Sequence, residues 1–200
     1  MSKRKILIII SCIFLAIAGI RILPAIYTTR ETVADKEVPK EYFIDTADDP
    51  IEGHLPTRNA ACVVAYVMRY CGDQVQGNEI YVDIDSHIGR ILPCDLVRFF
   101  HDKGYQAKAY HGDLNTLKMR LSDGVPIIVC IRDGKSTHYA VLVGYDEDRL
   151  YLDDPNTDNV YDANKPYNRV VENEEFQNIW KSDFLVSDHV YIAVKKNAEP

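Results

Sequence analysis

The sequence predicts an α+β fold in which helices come first and pack on an antiparallel sheet. Three observations carry this expectation. Ala60 to Met68 is apolar at almost every position, and the segment continues to Tyr70 before Gly72 stops it. Val125 to Leu152 reads as successive apolar strands broken by short polar turns. All but one short helical segment precede residue 125, so helices gather on one side of the sheet.

The elements follow in chain order. Lys3-Arg4-Lys5 precedes Ile6 to Ile20, a run without charge, and Ile22 to Tyr27 extends it past Arg21. A membrane span needs about 20 apolar residues, which this segment reaches if Arg21 snorkels to the interface. The expectation is a single-pass signal-anchor over residues 1–27, with the remainder of the chain on the extracytoplasmic side. Cleavage after Ala16-Ile17-Ala18, which would release a secreted domain, is the alternative. Residues 28–49 read as a stalk and residues 50–197 as the folded domain. Within the domain, Asn59 or Thr57 can cap a helix over Ala60–Tyr70. Pro93 opens a second helix that Gly104 closes, and Asp113 caps a third over Leu114–Ser122. Strands then follow over 125–131, 138–145 and 149–152. Glu174 to Lys181 suits a short helix with Phe176 and Trp180 on one face, and Val190 to Val194 is a final strand.

A net charge of −7 without a Lys/Arg cluster beyond the N-terminus argues against a nucleic-acid partner. The cysteines at 12, 62, 71, 94 and 130 show neither CxxC nor zinc spacing, so no metal and no cofactor are expected. Cys71 and Cys94 could pair in an exported domain, or every thiol could simply be buried.

The chemistry-bearing residues lie on the hairpin. His138 opens one strand and Asp154 closes the next, so an antiparallel pairing can bring them together at one rim. A histidine held by a carboxylate is two thirds of a nucleophilic triad. A helix N-terminus facing that rim would favour a thiolate, and the cysteine in the first turn of the apolar helix is Cys62. Asn59 precedes it by three positions, and Thr137 and Tyr139 flank the histidine. These three are the candidates for peptide binding, and Cys62, His138 and Asp154 are the candidates for catalysis. Each has a plainer alternative: a satisfied strand histidine, a turn aspartate before Pro155, and a packing thiol.

His138-Tyr139-Ala140-Val141-Leu142-Val143-Gly144-Tyr145 together with Leu152-Asp153-Asp154-Pro155 resembles the His and Asp segments of the papain-like double-glycine leader peptidases, which process bacteriocins. The resemblance covers roughly residues 50–195. It implies a papain-like cysteine peptidase fold, with His138 as base and Asp154 as its orienter. That family opens its first helix with Cys-Gly-Pro, about 13 residues before a closing Gly, and carries a Gln about six residues upstream whose amide helps form the oxyanion hole. Here those two positions fall on Asn59 and Gly53. Residues 59 and 62 differ by about 4.5 Å along a helix axis, whereas proton transfer to the imidazole needs about 2.6–3.2 Å. The expectation is therefore a membrane-anchored peptidase-like domain that binds a peptide or protein segment without cleaving it. The alternative is an active cysteine peptidase using Cys62, His138 and Asp154.

Overall fold

The computed structural model describes residues 5–6, 8–9, 11–12, 29–30, 37–45, 59–81, 83–84, 91–134, 136–157, 162, 165–181 and 188–197. Most of the expected anchor, together with Thr57 and Gly53, lies outside these residues. Among the described residues no helix is long and apolar enough to cross a membrane.

Residues 5–6, 8–9 and 11–12 are helical, and the first strands are the short β1 (Thr29–Arg30) and β2 (Tyr42–Phe43). Three helices follow, α1 (Asn59–Tyr70), α2 (Gly77–Tyr81) and α3 (Pro93–Asp102). Next come β3 (Tyr105–His111), α4 (Leu114–Ser122), β4 (Ile127–Asp133), β5 (Ser136–Tyr145) and β6 (Arg149–Asp153). The last elements are β7 (Arg169–Glu172), α5 (Asn173–Ile179) and β8 (Val190–Lys196). The sheet runs β1-β3-β8-β4-β5-β6-β7, and β2 also pairs with β5. Every pair is antiparallel except β1 with β3.

α1 is the helix expected from the apolar run. Every residue from Asn59 to Met68 is buried, so the helix must be enclosed by the rest of the domain. It ends at Gly72, whose φ of +94° suits glycine and whose N–H donates to the Arg69 carbonyl at 2.8 Å. The other helix starts are also local chemistry. Pro93 opens α3, where the Asp95 carboxylate accepts the Leu92 N–H at 2.8 Å. Asp113 caps α4 by accepting the Thr116 N–H at 2.9 Å. In α5 and its C-cap, the Phe176 and Trp180 rings lie 5.3 Å apart, and both residues are buried.

β5 is buried from His138 to Tyr145, so both of its faces are covered. Its hairpin with β4 runs in register from Ile127↔Leu142 to Asp133↔Ser136. Beyond the Ile127 end of β4, β2 takes over the same edge through Tyr42↔Tyr145 and Phe43↔Gly144. Residues 42–44, within the stretch read as a stalk, thus join the sheet, and Ile44 is 2% exposed in the core. A two-residue strand carries no periodicity, so the sequence pattern could not reveal it. The same holds for the short β1, β7 and α2. β3 alternates buried and exposed residues over its first half, but two of its buried positions are alanine-sized or tyrosine rather than aliphatic. Its pairing with β8 supplies what the pattern lacks.

Gly144 makes the β2 contact feasible: a Cβ there would collide with the Phe43 ring. We expect Gly144→Ala to destabilise the protein by about 1–3 kcal/mol through overpacking, read by urea denaturation. Adding Phe43→Ala should return part of that loss. If Gly144→Ala is neutral, Phe43 does not seat on β5.

Candidate functional site

The β5–β6 hairpin and the start of α1 converge on one buried rim. His138 occupies the third position of β5 and pairs in register with Ile131. Asp154 follows the last residue of β6. The hairpin brings His138 Nε2 to 3.0 Å from Asp154 Oδ1 and 3.1 Å from Oδ2. Both side chains are almost fully enclosed, 6% and 0% exposed. An ionised carboxylate only accepts hydrogen bonds, so Nε2 carries the proton and donates it. The other ring nitrogen, Nδ1, is buried and has no hydrogen-bond partner among the described residues.

Asp154 is held from several sides. Its Oδ1 accepts the Asn156 N–H at 2.8 Å. Its Oδ2 accepts from Arg169 at 2.9 Å, and the same guanidinium nitrogen reaches Asp133 at 2.9 Å. Asn168 clamps the backbone on both sides: its Oδ1 accepts the Asp154 N–H at 2.8 Å, and its Nδ2 donates to the Asp154 carbonyl at 2.9 Å. Burial pushes the Asp154 carboxyl up. The bonds and charge from His138, the Asn156 amide and Arg169 outweigh this and hold it below the usual carboxylate range. Arg169, Asn168 and Asn156 escaped the sequence reading. They lie beyond the strand pattern, and nothing in their spacing marks them as partners of Asp154.

Asn59 is the first residue of α1 and is 9% exposed. Its side chain does not turn back to cap the helix. Instead Oδ1 accepts the backbone N–H of Tyr139 at 2.8 Å, which fastens the helix tip to the strand next to His138. The Asn59 Nδ2 and the Thr137 Oγ1 are buried without a hydrogen-bond partner among the described residues. Tyr139 points its hydroxyl to the Ile91 carbonyl at 2.9 Å. Of the sequence-expected residues, the geometry therefore joins His138 to Asp154, and Asn59 to the backbone of Tyr139. Cys62 lies a turn along α1, 1% exposed in the apolar core. Cys71 and Cys94 are both free thiols. Burial raises the thiol pKa of both Cys71 and Cys94.

Two measurements check this network. Asp154→Ala leaves the buried His138 and the half-buried Arg169 without their shared anion, so we expect a loss of about 3–5 kcal/mol. A depressed carboxyl pKa contributes stability above the ordinary value of about 3.9 that disappears as pH falls through the folded-state value. The difference in unfolding free energy between the parent and Asp154→Asn should accordingly be flat from neutral pH down to about 5 and shrink below about 4. A difference that is independent of pH would mean that Asp154 is not ionised in the folded state.

The geometry now has counterparts. Residues 59–183 match the model of the Peptidase_C39 like family. No curated protein matches the chain. Among solved structures, a Bacillus anthracis protein assigned as a C39-like peptidase is similar at a TM-score of 0.58 and 17% identity, over 78% of this chain and 98% of that one. A double glycine motif protease from an AMS/PCAT transporter, solved in complex with the leader peptide, is similar at 0.55 and 18%, over 74% and 91%. The peptidase domain of Streptococcus ComA, a bi-functional ABC transporter involved in quorum sensing, is similar at 0.54 and 20%, over 72% and 96%. These neighbours share the papain-like arrangement of helices against an antiparallel sheet. With its family match beginning at the first residue of α1 and covering more than half of its length, the chain belongs to the Peptidase_C39-like family.

Proposed function

We propose that this protein is a membrane-anchored, extracytoplasmic peptidase-like domain that binds an extended peptide at the α1–β5 rim without cleaving it. The observation that carries this reading is Asn59. The amide stands at the tip of α1, bonded to the strand residue after His138, at the position where the family resemblance calls for the nucleophilic sulfur. An amide cannot attack a carbonyl under these conditions, because it has no ionisable group and its nitrogen lone pair is delocalised. The thiol nearest in sequence, Cys62, is 1% exposed, which keeps it from a peptide lying over the rim. The His138–Asp154 pair remains assembled and would present Nδ1 to a ligand as a hydrogen-bond acceptor. Asn59, Thr137 and Tyr139 would form the floor beneath the ligand. The leader peptide bound by the AMS/PCAT transporter protease supports the class of ligand. In this reading residues 1–27 hold the chain in the cell membrane, residues 28–49 lead away from it, and residues 50–197 carry the site.

The full-length protein in detergent should bind a peptide with a Gly-Gly leader and leave it intact. Cleavage that stops on Cys62→Ala would overturn the proposal in favour of an active cysteine peptidase. Cys62 itself should react with iodoacetamide at the slow rate of a buried thiol. Asn59→Cys should introduce a thiol that reacts at least about tenfold faster than Cys62 at neutral pH, as expected for a pKa lowered at a helix N-terminus beside an imidazole. That gain should fall on adding His138→Ala. The anchor reading predicts that the chain stays with membranes through alkaline carbonate extraction, and that protease added to intact cells digests the domain. Release into the soluble fraction would sink it.

A further inference from the structure

On a chain of net charge −7, one cavity is basic. It has a volume of about 510 Å³ and lies on the face of β3 and β8 near α4. Lys108 and Lys195 line it from the two strands and Arg120 from α4, and no carboxylate is among the described residues of its lining. Both lysines are exposed. Lys108 and Tyr110 are two apart on β3, so they share a face, and Lys195 pairs with Gln106 on that same face. The Tyr110 ring supports two of the cations: Lys108 Nζ lies 5.2 Å and the Arg120 guanidinium 5.0 Å from its centroid. Two cations therefore flank one aromatic ring, and Lys195 lines the same cavity from β8.

The position of this cavity gives it a partner. β1 pairs with β3 through Thr29↔Tyr110 and Arg30↔His111. Tyr27, the last residue of the apolar N-terminal run, is two residues from Thr29. Tyr110 thus pairs with a residue only two positions beyond that run in the sequence. A tyrosine flanked by Lys and Arg is the combination that suits a membrane interface.

We propose that this cavity docks the phosphate of an anionic phospholipid headgroup through Lys108, Arg120 and Lys195, so that the β1–β3 edge of the sheet lies on the membrane. The proposal rests on the reading of residues 1–27 as an anchor. The docking fixes the orientation of the domain and leaves the α1–β5 rim to an approaching peptide. Each basic residue near an anionic surface is worth about fivefold in affinity.

The test uses the full chain in lipid nanodiscs of phosphatidylcholine, with or without phosphatidylglycerol, and reads the acetylation rate of individual lysines by mass spectrometry. Lys108 and Lys195 should acetylate about fivefold more slowly in the anionic discs. Lys40 and Lys165, exposed elsewhere on the domain, should not change. Arg120→Gln should remove most of the protection and Arg120→Lys should keep it. Salt at about 1 M, where screening acts over roughly 3 Å, should abolish it. Equal rates in the two kinds of disc overturn the docking while leaving the anchor standing. Protection by inorganic phosphate in neutral discs, equal to that in anionic ones, overturns the lipid in favour of a soluble anion. A chain that does not enter discs at all overturns anchor and docking together.

Discussion

The organisation of this domain depends on enclosing α1. A helix whose residues are buried from Asn59 to Met68 cannot lie on a surface. The sheet and the remaining elements must surround it, and β5, itself buried on both faces, is the strand it meets at its tip. Burial on this scale is worth about 25 cal/mol for each Å² of apolar surface removed from water. It also creates a problem at the helix start, where backbone N–H groups have no intrahelical partner. Asn59 does not solve that problem in the usual way. Its Oδ1 goes to the Tyr139 amide instead, so the side chain acts as a tie between two elements rather than as a cap.

The same enclosure explains why the histidine and the aspartate stay paired. A carboxylate with a side-chain exposure of 0% is costly to bury unless it is surrounded by donors. Asp154 has the imidazole, a guanidinium and a backbone amide. Removing the nucleophile from such a site does not release the pair, because the pair is part of how the hairpin end is satisfied. A chain can therefore lose the attacking group and keep a rim shaped for a peptide.

Much of the fold was legible in the sequence, and what escaped has a common physical cause. The Asp113 cap, the Pro93 start and the tight turn at Asp146 are local, so residue type alone locates them. The β4–β5–β6 meander follows from uninterrupted apolar runs. β1, β2 and β7 exist only because a distant strand offers an edge, and two to four residues cannot announce that. The site divides the same way. His138 and Asp154 could be matched because each ends a strand of one hairpin. Arg169 and Asn168 could not, since they reach Asp154 from across a loop, and no local pattern encodes that approach. Asn59 was visible as an anomaly at the helix start, yet its bond to Tyr139, 80 positions away, was not.

The position of β8 sets an order of assembly. It is the last strand in the sequence, yet it lies between β3 and β4 in the middle of the sheet. Among the described residues, the β1/β3 pair meets the strands β2 and β4 to β7 through no other strand, so the sheet is two separate fragments until residues 190–196 arrive. Each fragment has an open inner edge in the meantime, with unpaired backbone groups able to join a foreign strand. A polypeptide built this way has to be delivered whole before it can close. A single late insertion of the final strand suits that architecture, and protection of the open edges matters most in the interval before it.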